Sequence, residues 1–378
     1  VDKNVKYFQI SQAFASFSFG IALVVPYMLY RGFSIEQAFS LVSFFALVNI
    51  ITEFPTGVIG DYYSHRFSVI LGIVISIICS AFFVLDLPLI GYYIILGFSA
   101  LGVSLVQGSD LALLKSISPN FKIEFALMGS VSDFVIFLAA LASGFIVMID
   151  IRLPWIMNIF PYTVAILFLL FIKDSRRIKG IHAENMLAQS RLALDYVFKH
   201  KAVLIIVVLA GILGGYAISI KTLTGSFVEV FDSSPQIVAW LVSLVFLSRA
   251  IGKKFAVSVE KLGYKLLFIL LLLTLVILAY APNIIIAGFA LIVGNFILGV
   301  LIILLNSFLV EETVDGIEAS VLSLRNLLVR TFSSGYLFFF GFLLARIEFG
   351  NVILLTILLF LVLGLIYYRY SIMQQNVA

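Results

Sequence analysis

Twelve apolar runs, each about long enough to cross a bilayer, fill this chain and leave little between them to fold in water. They lie at about 8–30, 36–60, 67–86, 89–115, 123–149, 153–173, 202–228, 236–259, 264–281, 283–310, 317–345 and 350–370. A spanning helix needs about 20 apolar residues. Hydrocarbon offers backbone N–H and C=O groups no water, so each run must satisfy its own as a helix; barrel strands would be shorter and alternate in polarity. The 62% hydrophobic content, 12% charge and mean hydropathy of +1.18 agree, since a soluble globule is nearer half apolar. The expected fold class is an all-α integral membrane protein.

Charge sets the orientation. The odd-numbered connections are acidic or balanced: Arg31, Asp86, Asp150, Arg152, Glu229, Asp232, Arg346 and Glu348. The even-numbered ones carry His65 and Arg66, Lys115 and Lys122, a cluster from Lys173 to Lys201, and then Lys253, Lys254, Lys261 and Lys265. The positive-inside rule places both termini and these basic loops in the cytoplasm, which makes the chain a multi-pass protein of the cytoplasmic (inner) membrane. The net charge of +4 is thus a topology signal and implies no nucleic-acid partner. Lys3 and Lys6 precede a span too long for a cleavable signal peptide. The single cysteine, Cys79, lies in an apolar run, which gives neither a disulfide framework nor a metal cluster. No G-x-x-x-x-G-K-[ST] loop and no nucleophile constellation occurs. The sequence predicts no enzyme activity, no cofactor and no metal.

The only long polar interval, 174–201, divides the chain into an N-terminal bundle (1–173) and a C-terminal bundle (202–378) of six spans each. Within it Leu187, Leu194, Val197 and Phe198 recur at helical spacing, which fits either a short amphipathic helix on the inner membrane surface or a solvated linker. The halves look like repeats. Leu41-Val-Ser43 returns as Leu241-Val-Ser243, and Ile123-Glu124 as Ile317-Glu318. Gly57-x-x-x-Asp61…His65-Arg66 is echoed by Ala256-x-x-x-Glu260-Lys261-Leu262-Gly263-Tyr264-Lys265. The offset is nearly constant, about 195–200 residues. Duplicated halves are a transporter arrangement, with the site between repeats near the midplane.

Gly57, Asp61 and Arg66, with His65 as a weaker basic match, resemble the loop signature G-x-x-x-D-R-x-G-R-K of the major facilitator superfamily, with Tyr62 and Ser64 departing from it. With twelve spans and a central divide, the resemblance covers essentially the whole chain. It implies two six-helix bundles, related by a pseudo-twofold axis, that rock about a central cavity. Gln107-Gly-Ser-Asp110-Leu-Ala-Leu-Leu resembles bacterial drug-efflux relatives, whereas 125–149 lacks the G-x-x-x-G-P-x-x-G-G run of family antiporters. The family pattern sets Asp61 against the N-terminus of the eleventh helix, where a carboxylate meets unpaired N–H groups, and Glu260 against the start of the fifth. Either acid could instead only mark topology. Arg66 could pair a nearby acid or a lipid phosphate.

Charges inside spans are costly and call for a functional reading. Asp133 falls mid-span in the fifth run and is the candidate proton-coupling residue; a permanent ion pair is the alternative. Asp110, nearer the cytoplasm, is a relay or gate candidate. Lys221, Arg249 and Arg330 could hold an anionic group of a substrate, arginine as a planar fork and lysine as a point charge, or could merely neutralise acids of the first half. Gln107 and its repeat mate Asn306 could line the cavity or pack between helices. Glu53, Lys253 and Arg325 join Gly57, Asp61, Arg66 and Glu260 as conformational gate residues, because the buried acids belong to the first half and the bases to the second. The expected function is secondary active transport of a small molecule by alternating access, coupled to protons and acting as a monomer in the lipid bilayer. Export of an amphipathic compound is favoured over uptake of an organic anion. A lipid flippase or a transporter-like receptor is the reading from another class.

Overall fold

The computed structural model describes residues 3–107, 109–118, 121–172, 194–313 and 318–375, and all regular structure among them is helical. In chain order the helices are α1 (Lys3–Ala15), α2 (Val24–Tyr30), α3 (Ile35–Tyr62), α4 (His65–Phe83), α5 (Leu89–Val106), α6 (Ser109–Ile117), α7 (Phe121–Ile146), α8 (Leu153–Met157) and α9 (Ile159–Leu170). Then come α10 (194–199), α11 (Lys201–Gly225), α12 (Phe227–Val230), α13 (Pro235–Val259), α14 (Gly263–Ala279), α15 (Ile284–Glu311), α16 (Glu318–Leu344) and α17 (Phe349–Gln375). Nine helical stretches among the described residues are long and apolar enough to cross a membrane; shorter apolar stretches lie in α7 (Val131–Ile146) and α17 (Phe349–Leu365).

Local chemistry sets the helix ends. Ser34 and Gln37 form a reciprocal capping box at the start of α3, with bonds of 3.2 and 3.0 Å. The turn between α3 and α4 is only Tyr63 and Ser64, so most of the Gly57–Arg66 stretch is helical rather than loop. Ser64, which departs from the family glycine, caps α4 by accepting from the Phe67 N–H at 3.0 Å with φ −177°. Its repeat mate Gly263 has φ +76°, a conformation that favours glycine. One sharp turn is thus built in two ways, by a capping serine in extended backbone and by a glycine in a conformation that favours it.

Three of the apolar runs break well inside their length. The first breaks over 16–23, between α1 and α2. Non-helical backbone at membrane depth is tolerated where protein satisfies it: Asn158 Oδ1 accepts from the Phe19 N–H at 2.8 Å, and Ser143 donates to the Phe19 carbonyl. Gly20 lies against the Trp155 ring, 2.6 Å from where a Cβ would stand. The fourth run breaks at Gln107, whose ψ of 131° ends α5. The sixth breaks between α8 and α9, with Pro154 at the start of α8 and Pro161 in the first turn of α9, where a missing N–H costs little. Of the expected 174–201 linker, 174–193 lie outside the described residues; α10 buries Val197 and exposes Phe198.

One end of the bundle gathers Arg66, Lys115, Lys199, Lys201, Lys254, Lys261 and Lys265 at its helix ends, and the other gathers Glu36, Asp86, Asp150, Glu229 and Asp232. Helices before residue 173 meet those after 193 along α3–α16, α7–α13 and α2–α11. At the acidic end these pairs interlock. Gly341 receives Phe39, Gly144 receives the Trp240 ring, and Gly225 lies 2.9 Å, measured from an ideal Cβ, from Val25. Ser334 donates to the Ser43 carbonyl at 3.0 Å, and Arg346 pairs with Glu36 at 3.2 Å.

Candidate functional site

A cavity of about 400 Å³ lies at mid-span, walled by residues from both sides of this seam. Its size is that of a small-molecule pocket, about 300–1,000 Å³. The broken first run contributes Ser18, Gly20 and Ile21, α3 contributes Phe45 and Asn49, and Gln107 enters from the break after α5. Trp155, Asn158 and Tyr162 line it from α8, α9 and the joint between them. Lys221 enters from α11, and Arg330 and Ser333 from α16.

Two of the three candidate cations in this region, Lys221 and Arg249, form no ion pair among the described residues. Lys221 faces the cavity with neither a hydrogen bond nor an ion pair there. Arg249, on α13, is 9% exposed; Nη1 donates to the Ala217 carbonyl at 2.9 Å, Nε has no acceptor, and the guanidinium lies 4.5 Å from the Phe246 ring centroid. Ala217 and Lys221 are one helical turn apart on α11. Arg249 therefore docks just below Lys221, close enough for the charges to repel. A lysine without a partner inside a span carries an energetic cost. A bound anion would offset that cost.

Asp133 lies on the other side of Arg249. Its Oδ2 accepts from Lys253 Nζ at 2.5 Å, and it also acts electrostatically on Arg249. Arg249 and Lys253 are one turn apart on α13, so Asp133 of α7 meets a two-cation face. Lys221, Arg249, Asp133 and Lys253 form a row from cavity to seam, three cations against one carboxylate.

Arg330 behaves differently from Lys221. Nη1 donates to Asn49 Oδ1 at 2.6 Å and to Glu53 Oε2 at 2.7 Å, and Nη2 to Gln107 Oε1 at 2.5 Å. One α16 side chain thereby ties α3 to the break after α5. Glu53 and Lys253, occupying matching repeat positions, enter two separate pairs that both cross the seam. Asn49 was not among the residues singled out from sequence. It is 5% exposed and also donates to Ser104 at 2.9 Å and to the Ala100 carbonyl. Its signal was an amide four residues before Glu53 in an apolar run, hence on the same helix face.

The remaining candidates lie elsewhere. Arg325 bonds its neighbour Asn326 at 2.8 Å and packs near Gly214 of α11, with Nε lacking an acceptor. Asp110 opens α6, where its carboxylate accepts from the Leu111 N–H at 2.7 Å and suits the positive end of the helix. Asn306 is outside the cavity lining, and its Oδ1 is buried without a partner. Glu260 is exposed at the end of α13. Arg66 bonds the Ile172 carbonyl just past α9, a cation on a helix C-terminal end. Gly57 and Asp61 fall within α3, but the surroundings of these two residues, and of 121–123 at the start of α7, lie outside what the structure describes.

Paired helix groups, broken spans and a mid-span cavity lined mostly by apolar side chains, with a few polar and charged ones among them, fit a helical membrane transporter. Residues 8–337 match the sequence model of the Major Facilitator Superfamily, and the chain belongs to that family. No curated protein matches the sequence at a significant level. Among solved structures, a mutant of the nucleoside transporter NupG is similar, with 14% identity, TM-score 0.77, and coverage of 97% of this chain and 99% of that one. A POT family transporter in complex with 5-aminolevulinic acid is 15% identical with TM-score 0.74, over 98% and 96% of the two chains. A bacterial homolog to the human lysosomal transporter Spinster, described as inward-facing and unoccupied, is 13% identical with TM-score 0.72, over 90% and 81%. At such identities these structures establish the shared fold.

Proposed function

We propose that this protein is a monomeric, proton-coupled secondary transporter of a small organic anion. It works by rocking two six-span bundles, 1–173 and 202–378, joined by the 174–201 linker. The twelve spans are the nine long apolar helical stretches, the two shorter ones in α7 and α17, and the broken α1–α2 run. The basic end faces the cytoplasm, by the positive-inside rule, in a cytoplasmic membrane. The interlocked acidic end then makes this conformation the outward-closed one.

The observation that carries the anion reading is the position of Arg249, between unpaired Lys221 and the Asp133–Lys253 pair. An anion against Lys221 and Arg249 weakens the hold of Arg249 on Asp133, and protonation of Asp133 releases Lys253 and frees α7 from α13. Substrate and proton thereby bias the same seam, and such differential interaction is what coupling requires. The Glu53–Arg330–Gln107 knot is the second cross-seam gate. The unpaired Lys221, with Arg249 beside it in no direct ion pair, favours an anion over the amphipathic-compound reading, which the aromatic wall of Phe45, Trp155 and Tyr162 supports as an alternative.

Proteoliposomes loaded with a pH-sensitive dye test the coupling. Wild type should move protons when challenged with members of a panel of small carboxylates and phosphomonoesters. Asp133→Asn should keep counterflow of the same anion and lose the proton movement. Anion-evoked proton flux that survives Asp133→Asn refutes the assignment.

A further inference from the structure

A second cavity, of about 370 Å³, opens on the flank of the protein between α11, α14, α15 and α17 and shares no lining residue with the central cavity. Its walls are almost wholly aliphatic. Leu209 and Leu213 of α11 and Leu301 and Leu305 of α15 form a buried floor, and Ile269 and Leu365 form exposed lips. Gly364 of α17 faces the Phe268 ring, 2.7 Å from an ideal Cβ, which keeps the slot narrow on that side.

The mouth has a different chemistry. Tyr264 and Lys265 complete the lining, in the first turn of α14 at the basic end. Lys265 is exposed, and exposed Lys261 lies one turn earlier. An apolar slot inside the bilayer, crowned by a phenol and cations at headgroup level, matches a molecule with one aliphatic arm and one anionic head. Aromatic side chains and lysines sit at the membrane interface for that reason.

We infer that this slot is a binding site for an anionic phospholipid, with one acyl chain lying on Leu213 and Leu301 and the headgroup phosphate at Lys265. The floor belongs to α11, which also carries Lys221, and the lips belong to the peripheral α14 and α17. A seated chain therefore packs the peripheral helices onto a helix of the transport cavity. The leaflet, cytoplasmic, rests on the orientation proposed above; the charge preference of the slot does not.

The test uses the full chain in nanodiscs with tryptophan placed in the slot, Phe268→Trp, read as the difference from the unsubstituted protein. Brominated phosphatidylglycerol and brominated phosphatidylcholine with identical chains are titrated as quenchers into unbrominated phosphatidylcholine. The expected result is about fivefold stronger quenching by the anionic lipid, the effect of one interfacial charge, reduced toward unity by Lys265→Gln. Because Lys265 is exposed, that variant is expected to fold, and its quenching by the neutral lipid should be unchanged. Equal quenching by the two lipids, or a preference that survives both Lys265→Gln and the Lys261→Gln/Lys265→Gln double variant, would overturn the inference. Neither outcome bears on transport through the central cavity.

Discussion

If the interlocked acidic end is a closed gate, adding single methyl groups to it should pry it open. Gly341 and Gly144 are the places to do so. A Cβ at 341 would stand 2.8 Å from Phe39 Cγ, and one at 144 would stand 2.8 Å from Trp240 Cε2, with nearer atoms of both side chains closer still. Overpacking of this kind costs about 1–3 kcal/mol per site. The two sites lie on different helix pairs, α16 against α3 and α7 against α13, so their costs should add. At about 2 kcal/mol each, Gly144→Ala/Gly341→Ala would shift the closed-to-open ratio by roughly a thousandfold. The reporter is Ser43→Cys in a Cys79→Ser background. Ser43 is 5% exposed beside the α16 contact, and Cys79 is the single native thiol. Labelling by a membrane-impermeant maleimide added outside should be slow in the parent and fast in the glycine double variant, with each single variant between them. Labelling that stays at the parental rate in all three would refute the view that these contacts close the gate.

The Asp133–Lys253 pair should behave as a unit. Asp133→Asn strands Lys253 beside Arg249 and should cost about 2 kcal/mol, below the roughly 3–5 kcal/mol for a fully buried pair because Lys253 is a third exposed; Asp133→Asn/Lys253→Met should recover most of it, read as thermal stability in detergent, and strictly additive losses would contradict the pairing. The two repeat turns should differ in tolerance. Gly263→Ala, at φ +76°, should lower stability by about 1–3 kcal/mol, whereas Ser64→Gly should cost only a few tenths.

Much of the architecture was legible because membrane physics writes it coarsely. Apolar run length and basic-loop placement locate the helices without any knowledge of their packing. The break in the first run was not legible, because it depends on partners distant in sequence: the backbone at Phe19 is satisfied by Asn158 and Ser143, and no local pattern announces that; the sixth run, by contrast, carries Pro154 and Pro161 at its break. Within the site, apolar context singled out the charged residues one by one, but sequence could not say which were paired. Arg330 and Lys221 looked alike, yet one is bonded to Glu53, Asn49 and Gln107 while the other is unpaired among the described residues. Asn49 escaped notice although, like the amides Gln107 and Asn306, it lies in an apolar run, and it shares the helix face of Glu53.

The central claim is that an anion occupies the place of the missing carboxylate beside Lys221 and Arg249. Solid-supported-membrane electrometry on proteoliposomes tests it most directly, with concentration jumps of small carboxylates, phosphomonoesters, and neutral and cationic analogues of matched size. The account predicts transient currents for members of the anionic set only, abolished by Lys221→Gln, with the outward-closed labelling of Ser43→Cys unchanged in that variant. Currents evoked equally by neutral or cationic analogues, and preserved in Lys221→Gln, would contradict it.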